Sequence, residues 1–279
     1  MDIINRTVIK KHEYAQVNLI MDSNGNRFIE KIQFCNPPVI PLTFQYNHNG
    51  LEIIESVIKP LEIPHARIND SIQNEKCTTF VMDYICGIEC EDEPKAEYLY
   101  VAAEKLGTIY NKSKINMTLL DKGVVKKYTL CKERILEFAK VISKYYSVPL
   151  MDSIIDYIFN KYQNRTIFVN HHDIQFKNFI YNDDLHLIDW DCVKIHPFFS
   201  DLYSLIQQAY QVNADIDEIK KRYLKFSKIS SITDEDIYIG GIIGSIKAVF
   251  ELLIFDCPVE WIENSYNELQ HLIEKLDLH

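Results

Sequence analysis

The chain has 279 residues, of which 47% are hydrophobic and 25% charged, so we expect one or two globular domains and exclude general disorder. Lys and Arg number 30 against 40 Asp and Glu, which gives a formal net charge of −10. An acidic protein repels phosphate at long range, so we expect neither nucleic acid nor an anionic membrane surface as a partner.

Cysteine usage indicates the compartment. The seven cysteines are an odd number and include no C-x-x-C pair, whereas a secreted protein of this size is expected to pair its thiols. The sequence therefore predicts a reducing, cytoplasmic location. No basic stretch followed by a long apolar run opens the chain, so no signal peptide is expected. The longest apolar passage, 237–255, is interrupted by Lys247 and Glu251 and predicts a core helix rather than a membrane span.

The first third of the chain has the alternating pattern of β-strands. Apolar side chains occupy every second position over 15–22, a turn sequence follows, and residues 27–34 complete a predicted hairpin. Prolines then interrupt the chain before a helix that begins after Asn49. Two more short strands are expected at about 66–69 and 78–85.

From residue 94 the period of the apolar residues becomes helical. Helices are predicted at 97–111, 132–146 and 150–162, and again from 201 onward. A strongly β stretch at 166–170 and a second hairpin at 178–190 lie between them.

This order predicts an α+β fold with two lobes. Residues 1–85 are expected to form a nucleotide-binding lobe, a small antiparallel β-sheet with one main helix. Residues 86–279 are expected to form a mostly helical lobe that carries the second hairpin. A cleft should separate the two lobes, with the second hairpin beside it.

The passage from 170 to 192 concentrates the residues that can carry chemistry. Asp173 and Asn178 lie five residues apart on the loop before the second hairpin, and Asp189 ends the hairpin's second strand. The hairpin can therefore return Asp189 beside Asn178. A carboxylate and an amide oxygen suit Mg²⁺, which fills its remaining positions with water and phosphate. Asp173 is left to orient a hydroxyl and accept its proton.

This spacing resembles that of the aminoglycoside phosphotransferase family, part of the protein kinase-like superfamily that also contains choline kinases and spore-coat kinase homologues. The pattern runs from His171-His172-Asp173 through Asn178 to Ile188-Asp189-Trp190 and then Asp201-Leu202. Too little chain lies between Asp191 and Asp201 for the activation segment of a protein kinase. The resemblance implies transfer of the γ-phosphoryl group of ATP, or GTP, to a small-molecule hydroxyl, with Mg²⁺ as the cofactor.

The resemblance also implies roles in the first lobe. Lys31 corresponds to the strand lysine that holds the α- and β-phosphates in this family. Its carboxylate partner is expected from the following helix, where Glu52 and Glu55 are both candidates and Glu52 is preferred. Asp83 and Ile85 fall where backbone groups bind adenine.

Other residues near the motif match the family only in part. Asp201 resembles its buried aspartate that ties a helix start to the catalytic loop, whereas Asp191 is either an outer carboxylate of the metal site or a surface residue. His172 stands where the family has Gly, and Gln175-Phe176-Lys177 replaces a His-Pro-Gly-like run. The predicted turn near 10–14 contains no glycine. The change at 175–177 leaves the catalytic geometry open.

The acceptor and the oligomeric state are not fixed by these motifs. Six acidic residues against one lysine lie between Asp83 and Tyr98, and an acidic rim of the cleft would favour a cationic acceptor such as an aminoglycoside or a choline-like amine. A solvated acidic loop explains the same residues equally well.

A second class of function stays open, that of a catalytically weak or inactive kinase homologue with a structural or binding role. The presence of all four motif residues argues against inactivity; they are Lys31, Asp173, Asn178 and Asp189. The unusual loop at 175–177 argues for it.

Overall fold

The first lobe is built on one antiparallel sheet. The computed structural model of the protein describes residues 2–11, 15–34, 50–147 and 151–276. The first five strands are β1 (Ile3–Lys11), β2 (Ala15–Asp22), β3 (Arg27–Phe34), β4 (Ile68–Gln73) and β5 (Cys77–Asp83). They form one sheet in the order β1-β2-β3-β5-β4, with every neighbouring pair antiparallel. The predicted hairpin at 15–34 is therefore confirmed.

The edge strand β1 was not predicted by the apolar pattern. All nine of its residues are exposed, so it has no buried face for the alternation to mark. It pairs along β2 and extends the sheet on the side away from β4. The predicted turn near 10–14 falls largely at 12–14, outside the described residues.

The helix that follows Asn49 is short and irregular. α1 (Gly50–Ile53) has four residues and continues directly as a π-helix over Ile54–Ile58; Asn49 itself lies outside the described residues. Ile53 and Val57 are fully buried, so the segment packs into the core despite its irregular backbone.

The second lobe is mostly helical. Its helices are α2 (Ala96–Asn116), α3 (Lys122–Tyr128), α4 (Lys132–Ile142), α5 (Met151–Tyr162), α6 (Ser200–Val212), α7 (Ile216–Ser227), α8 (Asp234–Ile254) and α9 (Val259–Lys275). Short strands lie between them: β6 (Ile88–Glu89), β7 (Phe168–Asn170), β8 (Phe179–Asn182), β9 (Asp184–Leu187) and β10 (Lys194–His196). The two-lobed α+β fold predicted from the sequence is confirmed.

The short strands make two small sheets that position the functional loops. β8 and β9 form the second predicted hairpin, and β6 pairs with β8 on its other side. β7 and β10 pair antiparallel in a separate two-stranded sheet. The division of the lobes at residue 85/86 stays a prediction; β5 ends at Asp83 and β6 begins at Ile88.

Helix α8 corresponds to the longest apolar passage of the sequence. By length and composition it could cross a membrane. It lies, however, against α4, α6 and α9, and most of its side chains are buried there. It therefore serves as a core helix in this fold, as its two interrupting charges predicted.

Candidate active site

The catalytic loop is held by a carboxylate at the start of α6. The loop leaves β7 at Asn170, and the backbone N–H groups of His171 and His172 donate to the two oxygens of Asp201, at 2.6 and 2.8 Å. Asp201 is buried, and hydrogen bonds to a carboxylate in such surroundings are charge-assisted and strong. The predicted structural role of Asp201 is confirmed.

His172 is accommodated inside the fold. Its backbone is left-handed, with φ of +65°, a conformation that a glycine adopts without steric cost. Its Nε2 lies 2.6 Å from Nε2 of His196. Burial lowers the pKa of both imidazoles, that of His196 to about 3, so the pair is neutral and one ring donates to the other.

The carboxylate of Asp173 is oriented by its own loop. Gln175 Nε2 donates to Oδ1 at 2.7 Å, and Asn178 Nδ2 donates to Oδ2 at 2.8 Å. Lys177 Nζ lies 3.5 Å from Oδ2. These contacts fix the direction of the carboxylate, which is the requirement for a group that must align a hydroxyl.

The unusual 175–177 segment is anchored as well. Phe176 is buried, and its backbone N–H donates to Oε1 of Gln208 on α6 at 2.6 Å. The amide nitrogen of Gln208 donates in turn to the carbonyl of Ile174 at 2.6 Å. The departure from the family pattern therefore produces a loop that is packed and hydrogen-bonded.

The second hairpin brings Asn178 and Asp189 together. Phe179 pairs with Leu187, and the N–H of Ile188 donates to the carbonyl of Asn178 at 3.0 Å. Asp189 follows directly with a left-handed backbone, φ of +63°. The hairpin register thus places the carboxylate beside the catalytic loop, as the sequence predicted.

These two side chains offer donors that fit Mg²⁺. The side-chain nitrogen of Asn178, Nδ2, donates to both Oδ2 and the carbonyl oxygen of Asp173. The side-chain oxygen of Asn178, Oδ1, receives no hydrogen bond from the described residues. In Asp189 it is Oδ1 that Lys31 contacts, and Oδ2 has no partner among the residues that the structure describes. One amide oxygen and one carboxylate oxygen remain, the hard donors that Mg²⁺ takes alongside water and phosphate.

Lys31 bridges two carboxylates. Its Nζ lies 2.5 Å from Oδ1 of Asp189 and 2.5 Å from Oδ2 of Asp191. Burial opposes the charge of Lys31, but the two carboxylates outweigh it and raise its pKa. Burial likewise opposes the charge of Asp189, yet Lys31 lowers the pKa of that carboxyl to about 2. Both groups are charged at neutral pH.

The predicted partner of Lys31 is corrected by the structure. Glu52 forms an ion pair with Lys127 of α3, at 2.5 and 2.7 Å, and Glu55 pairs with Lys59 one turn on, at 2.9 Å. The place beside Lys31 is taken by Asp191. The first residue of α1, Gly50, lies against Asp191, whereas Glu52 is directed to Lys127 of α3.

Asp191 and Gln33 are the functional residues that sequence reasoning missed or left open. Gln33 Nε2 donates to Asp191 Oδ2 at 2.7 Å, while Gln33 Oε1 accepts from the N–H of Gly50 at 2.8 Å. The side chain of Asp191 is 14% exposed and lies against Lys31, so this carboxylate is not a surface group, and burial raises its pKa. A signal for Gln33 existed, because it lies two residues after Lys31 and thus on the same face of β3.

The predicted adenine-binding residues lie where β5 leaves the sheet. Asp83 is the last residue of β5, and its N–H donates to the carbonyl of Arg67 at 3.0 Å. Ile85 is two residues further, in the link to β6, and its N–H donates to no group in the described part of the chain. Nearby, Gly87 has no room for a Cβ atom, which would lie 2.6 Å from the carbonyl of Tyr181.

Comparison with known proteins identifies the fold. No protein-family model and no curated protein matches the sequence. Among solved structures, a Plasmodium vivax ethanolamine kinase is similar over 96% of this chain and 82% of its own, with a TM-score of 0.67 and 12% identity. An amicoumacin kinase solved with AMP-PNP and Ca²⁺ is similar over 97% of this chain and 87% of its own, with a TM-score of 0.65 and 15% identity. A choline/ethanolamine kinase family protein from Mesorhizobium loti is similar over 97% of this chain and 88% of its own, with a TM-score of 0.64 and 11% identity.

At these identities the likeness establishes the fold. It confirms that the chain has the two-lobed architecture of the aminoglycoside phosphotransferase and choline kinase-like structures, over nearly the whole of its length.

Proposed function

We propose that the protein is a small-molecule kinase that transfers the γ-phosphoryl group of ATP, or GTP, to a hydroxyl of its acceptor. The observation that carries the proposal is that Lys31 contacts Asp189 while Asn178 contacts Asp173, so that a phosphate-binding cation, two metal-binding groups and a candidate base share one site. Each of these four side chains suits a separate requirement of phosphoryl transfer.

In this mechanism Asp173 aligns the acceptor hydroxyl in line with the γ-phosphorus and accepts its proton. Lys31 neutralises charge on the phosphates, for which it must share the contacts it makes with Asp189 and Asp191. Asn178 and Asp189 would hold Mg²⁺, which when bound neutralises charge on the phosphates. The gain in rate comes from positioning and electrostatics, because phosphoryl transfer needs little covalent participation by the protein.

The nucleotide is expected at the junction of the lobes, with adenine against the backbone near Asp83 and Ile85. We keep a cytoplasmic location as part of the proposal, supported by the six described cysteines, all of which are free thiols. The acceptor is a small molecule.

The test is a melting experiment that needs no knowledge of the acceptor. A ligand that binds only the folded state stabilises it by about 2.7 kcal/mol at a hundredfold excess over Kd, so Mg-nucleotide should raise Tm by several degrees. Asp189→Asn removes one charge from the metal site and should reduce that rise sharply. ADP release with a panel of hydroxyl compounds then tests turnover.

The control is Asp183→Asn, which changes an exposed aspartate in the turn of the same hairpin and should leave the rise intact. A wild-type protein whose Tm is unaffected by millimolar Mg-nucleotide would instead support the weak or inactive homologue.

A further inference from the structure

The part of the catalytic loop that departs from the family pattern is built with alternating burial. Ile174 and Phe176 are buried, at 1% and 5% exposure. Gln175 and Lys177, which alternate with them, are exposed. Gln208 of α6 holds the buried pair, because its amide accepts from the N–H of Phe176 and donates to the carbonyl of Ile174, each at 2.6 Å. The loop is therefore anchored to the core through one set of side chains, and the other set stays outside the core.

The two exposed side chains converge on Asp173. Gln175 Nε2 donates to its Oδ1 at 2.7 Å, and Lys177 Nζ lies 3.5 Å from its Oδ2. Among the residues that the structure describes, Asp173 is the one carboxylate at ion-pair distance from Lys177. Asn178 also donates to Oδ2, at 2.8 Å, so the carboxylate keeps two amide donors without the lysine. The departure from the family pattern thus adds a cation beside the proposed base.

Lys177 is held much less firmly than Lys31. Nζ of Lys31 lies 2.5 Å from each of two carboxylates, and its side chain is 10% exposed. Lys177 has one carboxylate at the longer distance of 3.5 Å, and its side chain is 36% exposed. An exposed ion pair contributes about 0–1 kcal/mol. The ammonium group of Lys177 can therefore leave Asp173 for a more highly charged ligand at little cost.

The proposed reaction brings such a ligand within reach of Lys177. A hydroxyl that donates to Asp173 lies about 2.6–3.2 Å from the carboxylate. In a reactive arrangement the γ-phosphorus lies about 3–3.5 Å from that hydroxyl oxygen. Because Lys177 Nζ is 3.5 Å from the same carboxylate, a rotation of its flexible side chain suffices to contact the γ-phosphoryl oxygens. Negative charge spreads over those oxygens during transfer, and a cation placed there stabilises the transition state.

We propose that Lys177 is a catalytic residue, whose ammonium group binds the γ-phosphoryl group while it is transferred. The inference rests on the proposed function and assigns the unusual loop a part in it. The acceptor oxygen forms its bond to the γ-phosphorus as the bond from that phosphorus to the β,γ-bridging oxygen breaks, and the nucleoside diphosphate leaves. The hydroxyl proton passes to Asp173. Lys177 donates a hydrogen bond to a γ-phosphoryl oxygen and keeps its own proton throughout.

The binding test needs no acceptor, because aluminium fluoride bound with Mg-ADP mimics the planar, negatively charged group in transfer. In the wild type, aluminium fluoride should raise Tm beyond the rise that Mg-ADP gives alone, since a mimic of the transition state binds more tightly than the ground state. Lys177→Met removes the charge and keeps the length, so it should retain the Mg-ADP rise and lose most of the further rise. Lys177→Arg should recover the further rise because it restores the charge.

The matched control is Lys105→Met. Lys105 forms an ion pair of the same kind with Asp184 of the second hairpin, and its side chain is 29% exposed. This variant should show both rises, as the wild type does. A further rise that is absent from the wild type, or equally large in Lys177→Met, would overturn the proposal. Loss of the Mg-ADP rise itself in Lys177→Met would also overturn it, because the lysine would then bind the resting nucleotide.

Turnover separates this inference from the proposed function. With the acceptor that gives the fastest ADP release, Lys177→Met should lower kcat at least about tenfold and leave KM for the nucleotide within about threefold, the pattern of an interaction made only in the transition state. An unchanged kcat would overturn the role of Lys177 and leave the kinase standing. A wild-type Tm that does not respond to Mg-nucleotide would overturn the proposed function, and the role of Lys177 with it.

Discussion

Two lysines of this protein are in opposite electrostatic surroundings. Lys31 is buried between Asp189 and Asp191, 2.5 Å from each, and its pKa is raised. Lys194 is partly exposed, and burial together with Lys247 and Arg134 lowers its pKa to about 7. Burial opposes the charge of both lysines, but two carboxylates act on Lys31 and two cations act on Lys194.

The comparison distinguishes a lysine that is ion-paired within the protein from one that has no carboxylate partner among the described residues. Lys31 is satisfied without ligand, so a nucleotide must compete with the two carboxylates for it. In the part of the chain that the structure describes, Lys194 has no carboxylate at ion-pair distance, and burial together with Lys247 and Arg134 opposes its charge. Substitution and pH should therefore affect the two lysines in different ways.

The largest effect is expected at Asp173, the proposed base. General-base catalysis contributes about 10² to 10⁴ in rate, so Asp173→Ala should lower turnover at least a hundredfold. The Tm rise with Mg-nucleotide should persist, because Asp173 is not assigned to the metal. ADP release and melting curves measure the two effects, with Asp183→Asn as the control. Turnover equal to wild type would remove Asp173 from the mechanism.

Removing the matched lysine should be costly to the fold. Lys31→Ala leaves two adjacent carboxylates without their cation, and losing one member of a buried ionic group costs about 3 kcal/mol, the lower end applying because Asp189 keeps contact with water. Urea unfolding measures the loss. Adding Asp191→Asn should recover part of it; a double variant no more stable than Lys31→Ala would show that the carboxylates do not repel.

Lys194 should make the stability of the fold depend on pH, because its pKa is lowered whereas that of Lys31 is raised. Its pKa is lowered to about 7 in the folded chain, whereas an unfolded lysine titrates near 10.4. Between those values the unfolded chain holds the proton that the folded chain has released, so this contribution to stability rises with pH. From pH 7 to 9.5, wild-type Tm should gain a few degrees relative to Lys194→Met.

Both proteins in that experiment share the groups that face Lys194, namely Lys247 on α8, Arg134 on α4 and Cys192 on the preceding loop. Parallel pH curves for the two proteins would show that Lys194 keeps an ordinary pKa.

The smallest effect on stability is expected for Lys177, which has one carboxylate within ion-pair distance but at a longer separation than those of Lys31. Its Nζ lies 3.5 Å from Asp173, but its side chain is well exposed. Exposed pairs contribute about 0–1 kcal/mol, so Lys177→Ala should change the free energy of unfolding by no more than about 0.5 kcal/mol in urea unfolding. A loss comparable to that of Lys31→Ala would mean that exposure does not separate these lysines.

The parts of the site that sequence reasoning predicted share a local signal. Asp173, Asn178 and Asp189 are fixed by spacing along one loop and one hairpin, and strand alternation predicted the hairpin that returns Asp189. Lys31 was singled out from its strand and a resemblance, and the structure places it beside Asp189, a contact that the resemblance did not predict.

The rest depends on tertiary packing that leaves no local pattern. The preference for Glu52 as the partner of Lys31 came from a resemblance, whereas in the fold Glu52 reaches Lys127 of α3, 75 residues further along the chain. Lys194 is one lysine in a three-residue strand, and the two cations that lower its pKa, Lys247 of α8 and Arg134 of α4, are distant in the chain. Such surroundings are visible only in the folded molecule.

The contact at the start of α1 has an evolutionary consequence. A Cβ atom on Gly50 would lie 2.1 Å from Oδ1 of Asp191, and Gln33 joins both residues through its single amide. Substitutions at positions 33, 50 and 191 should therefore occur together, because a larger side chain at one position requires a shorter or differently charged side chain at another. Sequence drift in this lineage should be correlated across three positions that are distant in the chain, and a side chain at position 50 should accompany a shorter or neutral residue at 191.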